Sequence, residues 1–429
     1  MGKRNRPARR SAAATPRANP DYFFRDTVSE PVLCRYLARA VHLCGQQGCA
    51  EYVPRFIANT GAKYICRAAC CWRPDAADYA TYDAQRKMIA TVHKSDPDVV
   101  FEACIFECVS TEVEDIDVPA RVFEAFGMPP ETRKFSFRGM QFPQGCYVGQ
   151  WGENTAVPDI TRSETRLFFY HRACAYIDLG YEALHMGQVH LIGKRDEGWR
   201  CWTELLAMIR AYARAHARRG FVFINAHTHG ILGADGRLLF DFHMYPARFV
   251  SDATQKPHFP TEGDPQRAYL ENGHSDAIYG RSLGGRTYSG WVCASLPYLV
   301  EFDNFGDQPE RLNRPEPDPY TCWGMDEITW FANQPASYRA EILRYAYYWM
   351  RYYARGVGFI SMPGQRVARL YNEAGEVVSD AYYGYDPRYF AGGFGDEGTI
   401  RALWSGELRT ERDDPMFRRD RETAEHAAE

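Results

Sequence analysis

FVFINAHTHG, residues 221–230, starts apolar and ends polar within ten residues, and its alternation sorts Phe221, Phe223, Asn225, His227 and His229 onto one face. A strand that runs from a core into a functional cleft has this pattern. It follows a helical pattern over 199–219 that stops at Gly220, a residue suited to close a helix in the left-handed region. The same helix-then-strand rhythm recurs along the chain. Strands are expected at 62–70, 99–108, 181–186, 221–226, 238–243, 298–303 and 357–362, with a weaker one near 136–142. Helices are expected at 81–93, at 162–179 before Gly180, and at 326–355 with an interruption at Pro335.

Strands alternating with helices over nearly the whole chain imply parallel strands joined by crossovers. Eight strands fit an α/β fold of the (β/α)8 barrel type, with long βα-loop insertions between 109 and 160 and between 246 and 290. A doubly wound open sheet is the competing architecture. Its phosphate-binding forms lack support, because neither G-x-G-x-x-G after a strand nor G-x-x-x-x-G-K-[ST] occurs, and the glycine-rich 282–290 has no lysine. Ala234-Asp235-Gly236 reads as a hairpin turn, which leaves too little chain for a helix between the strands at 221–226 and 238–243. No internal repeat is present.

The 429 residues are 45% apolar and 25% charged, an ordinary globular balance. With 51 basic against 55 acidic side chains the formal charge is −4, too near neutral for a dedicated nucleic-acid binder, and no apolar run has the ~20 residues of a membrane span. Aromatic residues reach 14%. Residues 1–20 form a basic, proline-containing tail expected to be disordered, 409–429 a mixed-charge tail, and 21–408 a single folded domain. The 13 cysteines include no paired C-x-x-C motif, so reduced thiols and a cytoplasmic location are expected.

Polar residues at strand ends are the candidates for chemistry. Glu107 ends the run that begins at Val99; Asp241, His243 and Tyr245 share a face, as do Leu299, Glu301 and Asp303. In GYEALHMGQVHLIG, Glu182 and Gln188 have one parity and His185 the other. Two co-facial acids in an apolar strand are costly to bury unless paired or used, which singles out Glu301 and Asp303. Two chemistries suit the set. Glycoside hydrolysis needs one carboxyl as proton donor and another as nucleophile or base, with polar and aromatic groups around the sugar. Metal-assisted hydrolysis would instead draw on His227, His229, Asp241 and His243 around one divalent ion.

The chain resembles (β/α)8, TIM-like barrel hydrolases, and barrel glycoside hydrolases most. Counted from 62–70, the Glu182 strand is fourth and the Glu301 strand seventh, the strands that carry the acid/base and nucleophile glutamates in the large retaining clan. That clan has Asn-Glu at the end of the fourth strand, whereas Tyr181-Glu182 opens it here. YIDLGYEALHMGQVHL, LLFDFHMYP and EFDNFG are also similar to stretches of uncharacterised bacterial barrel proteins, and the H-x-H pair alone resembles metal-dependent amidohydrolases. The resemblance implies a hydrolase acting on a small-molecule or oligosaccharide glycoside without a cofactor. Glu301 would be nucleophile or base and Glu107 or Glu182 the acid. Asp303, Asp241, His227, His229, His243, His185, Gln188, Asn225, Trp151 and Trp323 would hold substrate. The alternatives are a divalent-metal hydrolase or lyase and a carbohydrate-binding barrel without activity.

Overall fold

The computed structural model describes residues 19–44, 51–251, 260–273, 276–304 and 325–426. Within them ten strands form one curled sheet. In chain order they are β1 (Ala40–Leu43), β2 (Tyr64–Ala69), β3 (Val100–Cys104), β4 (Ala183–His185), β5 (Phe223–His227), β6 (Phe242–Pro246), β7 (Tyr298–Glu301), β8 (Gly358–Ile360), β9 (Met362–Tyr371) and β10 (Val377–Tyr383). Their spatial order is β8-β7-β6-β5-β4-β3-β2-β1-β9-β10. Every pairing is parallel except the β9–β10 hairpin. Only Ser361 separates β8, which pairs with β7, from β9, which pairs with β1 through Val41 and Met362.

Helices make most of the crossovers: α2 (Val53–Thr60), α3 (Tyr82–Ser95), α4 (Ser163–Leu179), α5 (Arg200–His216) and the pair α6 (Glu327–Ala332) and α7 (Ala336–Tyr353), after α1 (Glu30–Leu37). Gly180 caps α4 at φ 103°, and Pro335 stands at the α6–α7 break, both as the sequence implies. Between β5 and β6 there is no helix. The chain makes a small hairpin, Leu232 opposite Leu238 with Gly236 at φ 75°, and returns parallel.

Both faces of the sheet are apolar, as expected of parallel strands covered on each side. Tyr64, Cys66, Val100, Ala183, Phe223, Phe242, Met244 and Leu299 form the inner cluster, with Leu33, Tyr36 and Leu37 of α1 packed against it. Ile65, Phe101, Leu184, Ile224 and Val300 join the outer cluster with the helices.

Three expectations are corrected. The segment near 136–142 is a short helix, Phe137–Met140, capped by Ser136 Oγ, so its polar residues serve a turn rather than a ladder. The strand expected at 238–243 lies at Phe242–Pro246, because residues up to 241 complete the hairpin. Residues 40–43, AVHL, form a strand too short to show alternation in the sequence. With one strand lost and one gained, the Glu182 strand remains fourth and the Glu301 strand seventh.

Candidate functional site

Strand β2 carries the local irregularity that builds the site. Its register with β3 slips between Ile65 and Ala69, and Arg67 takes a left-handed φ of 53°. Such a bulge re-aims a side chain. The Arg67 N–H donates to Glu102 Oε1 (3.0 Å), while the guanidinium reaches Glu301 on β7. Glu102 also accepts from Tyr64 OH (2.6 Å) and Asn225 Nδ2 (2.7 Å). Burial raises its pKa, and these hydrogen bonds offset part of the rise.

Glu301 is fully buried, with two basic partners on each oxygen. Oε1 meets Arg67 and His227 Nε2 (2.8 Å); Oε2 meets His42 Nε2 (2.6 Å) and Arg366 Nη1 (2.6 Å). Burial pushes its pKa up, but Arg67, His42 and Arg366 outweigh burial and hold it well below the usual carboxylate range. Arg366 Nη2 continues to Asp303 Oδ1 at 3.2 Å.

Beyond the strands' C-terminal ends lies a small cleft, partly open to solvent. Glu107 and Asp303 are its carboxylates, Trp72 and Phe106 (ring centroids 5.2 Å apart) its aromatic wall, and Arg67, His185, Gln188, His227, Tyr245 and Arg248 its other polar lining. Glu107 Oε2 accepts from the Gln188 N–H (3.0 Å) and Oε1 from Gln188 Nε2 (2.9 Å). Among the described residues no cation pairs with Glu107. Arg248, like Arg67, has a positive φ (61°), and it pairs with Asp276 (2.7 Å). Backbone strain of this kind gathers at functional sites.

The structure therefore brings Glu107, Asp303, His227, His185 and Gln188 to one cleft, with Glu301 and Asn225 packed behind it. Trp151 supports rather than lines it, donating from Nε1 to the Glu107 carbonyl (2.9 Å). Glu182 is not brought there. It sits before β4, held by Arg218 (2.6 Å) and Arg219 (2.7 Å), whose guanidinium also reaches Tyr36 of α1.

Asp241 and His243 are likewise elsewhere. On β6 Phe242 and Met244 take the inner face, so Asp241 turns outward to the Ile224 N–H (2.8 Å) and Arg210 (3.3 Å), and His243 to Ser282 Oγ (3.0 Å). His229 contacts the Asp276 carbonyl. The four residues of the metal alternative are thus dispersed, and among the described residues no group of three or more His, Cys, Asp or Glu is placed to hold a metal. Trp323 lies outside the described residues.

Arg67, Arg366, His42, Glu102 and Trp72 are not among the residues expected from the sequence. A signal existed for Arg67: in YICRAA it is a cation within an expected strand, and the cost of burying a lone charge that singled out Glu301 singles it out too, whereas Arg366 lies beyond the strand expected at 357–362.

No protein-family profile and no curated protein matches the chain. Among solved structures it is similar to the debranching enzyme from Nostoc punctiforme at 14% identity, over 83% of this chain and 69% of that one, with a TM-score of 0.39. In another structure of that enzyme the likeness spans 42% of its length. It is similar to the glycoside hydrolase domain of PelA from Pseudomonas aeruginosa at 12% identity, over 75% and 94% of the two chains, with a TM-score of 0.33. It is also similar to a GH27 β-L-arabinopyranosidase from Geobacillus stearothermophilus, at 12% identity over 44% and 45%, with a TM-score of 0.26.

Proposed function

We propose that this chain is a hydrolase that cleaves a glycosidic bond, with Glu107 and Asp303 as its working carboxylates and an oligosaccharide as its substrate. One observation carries the reading: two carboxylates from different strand ends face one cleft that also holds an aromatic wall. Glycoside hydrolysis needs two carboxyl groups flanking the bond, one giving a proton to the leaving oxygen and one acting as base or nucleophile. Glu107 receives only neutral donors from Gln188, so it suits the proton donor. Asp303 bears the Arg366 guanidinium, so its charged form is matched by a cation and it suits base or nucleophile. Glu301, with both oxygens committed to basic partners, anchors Arg67, Arg366 and His227 around the cleft. Trp72 and Phe106 offer apolar surface for a sugar face.

In this reading the curled sheet is a TIM-like (β/α)8 barrel closed by the 358–371 segment, with β8 on β7 and β9 on β1. The free state of the described cysteines supports a reducing, cytoplasmic setting. In this reading the two carboxylates carry the chemistry.

The test is release of reducing ends or aryl alcohol from a panel of polysaccharides and aryl glycosides. Glu107→Gln and Asp303→Asn are each expected to lower kcat by ~10²-fold or more on a hydrolysed substrate, within the range general acid–base groups contribute. Turnover by both variants within a few-fold of wild type would sink the assignment.

A further inference from the structure

The wall of the cleft holds a histidine that the roles of Glu107 and Asp303 leave unused. His185, at the end of β4, is fully buried yet lines the cleft, between Phe106 (ring centroids 6.0 Å apart) and His227 (4.7 Å). Its Nδ1 stands 2.7 Å from Asn225 Oδ1, and its Nε2 has no partner among the described residues.

The orientation of Asn225 decides which ring nitrogen carries the proton. Asn225 Nδ2 faces Glu102 Oε2 (2.7 Å), an acceptor as carboxylate, and, more distantly, the Leu184 carbonyl (3.5 Å), which can only accept. That nitrogen is therefore the donor end of the amide, and Oδ1, toward His185, is the acceptor end. An acceptor opposite Nδ1 requires Nδ1 to carry the hydrogen, which leaves a lone pair on Nε2.

We propose that His185 is a fixed hydrogen-bond acceptor of the cleft: Glu102 and Asn225 hold its proton on Nδ1, and the Nε2 lone pair receives a hydroxyl of the bound glycoside. The identity of the ligand rests on the function proposed above; the state of the ring does not. Burial, with His227 and Arg67 beside the ring, lowers its pKa well below that of free imidazole, against the opposing pull of Glu301 and the Asn225 hydrogen bond. A neutral imidazole with one committed nitrogen discriminates for a donor, because a ligand lacking one leaves the lone pair buried and unmet. Glu102 and Asn225 act through His185 and are positioning residues.

Nitrogen-15 NMR of the full-length, histidine-labelled protein reads the ring directly. The expected result is a His185 signal with Nδ1 protonated and Nε2 bare, unchanged across the pH range in which free imidazole titrates. A proton on Nε2, or ordinary titration, overturns the assignment without a variant being made. On a glycoside that the wild type hydrolyses, His185→Phe is expected to raise KM about ten-fold, the value of one hydrogen bond. His185→Gln, whose amide oxygen can occupy the Nε2 position, is expected to recover most of that loss. An unchanged KM in His185→Phe removes the ligand contact. If no glycoside is hydrolysed, the proposed function fails while the NMR result still decides the state of His185.

Discussion

Gly187 passes so close to Glu107 that a Cβ on it would stand 2.1 Å from the carboxylate Oε2. Its φ of 63° lies in the left-handed region, and the turn it makes delivers the Gln188 N–H to that same oxygen. Glycine is thus required twice, once for backbone and once for space. Gly187→Ala is expected to cost ~1–3 kcal/mol from strain and to push Glu107 out of place. Activity should therefore fall well beyond what the loss in stability explains. Thermal unfolding measured beside kcat separates the two; full activity in Gly187→Ala would mean that the placement of Glu107 does not matter.

Glu301 and its cations are a matched set in a region that excludes water. Breaking a buried ion pair from one side leaves the other charge unpaired and costs ~3–5 kcal/mol. Arg366→Met and Glu301→Gln should each lower the unfolding free energy, extrapolated from urea titration, by that order. Arg366→Met should cost more than a lone pair would, because Asp303 loses its partner too. Combining the two substitutions should cost less than their sum, since the residues touch. Strict additivity would show that the pair is not coupled.

Glu182 separates charge that supports the fold from charge that serves the cleft. It is buried and shared by Arg218 and Arg219, with Arg219 also reaching Tyr36 of the helix packed beneath the inner cluster. Arg218 and Arg219 with hydrogen bonds outweigh the effect of burial and keep its carboxyl below the usual range. Glu182→Gln is expected to lower stability by ~2–4 kcal/mol. Its kcat/KM, on any substrate the wild type turns over, should stay within a few-fold. A kcat loss comparable to that of Glu107→Gln would return Glu182 to the reacting groups.

The sequence announced the fold through its longest apolar runs and its helix stops, and the site through Glu301 and Asp303, where burial of paired acids leaves a clear mark. Strand faces were legible where the alternation within the apolar run carries straight into the strand, as from Phe221 through Phe223 and at Tyr298. They were not at Phe242, because the run LLF passes straight from the hairpin into the strand and its alternation groups Asp241 with His243 without telling which face is inner. Asp241 and His243 lie outside the cleft because Phe242 and Met244 take the inner face. Arg67 was hidden differently: no alternation pattern foretells that a bulge will turn a residue inward.

Stability should peak near pH 6.5, because several buried histidines together raise it up to that value more steeply than Glu327 lowers it, and above that value the fall from Glu327 continues alone among these groups. Burial lowers His42 to about 4, partly offset by Glu301, and lowers His190 to about 4 and His243 to about 3. Between pH 4 and 6.5 the unfolded chain therefore binds protons that the folded chain refuses, so stability rises with pH and is lost on acidification. His42 and His190 each account for up to ~3 kcal/mol of that loss. Glu301, held below its ordinary value, acts in the same direction. Glu327, on the helix after β7, behaves oppositely. Burial raises it to about 8, against hydrogen bonds from the Phe249 and Asp303 N–H groups. Its folded pKa exceeds its unfolded one, so its contribution is complete below about pH 4.5 and declines as pH rises through 8. Calorimetric melting temperatures across this range should trace the peak. Glu327→Gln should flatten the alkaline side and His190→Gln should soften the acid side. An alkaline decline that survives Glu327→Gln unchanged would place its origin in another group.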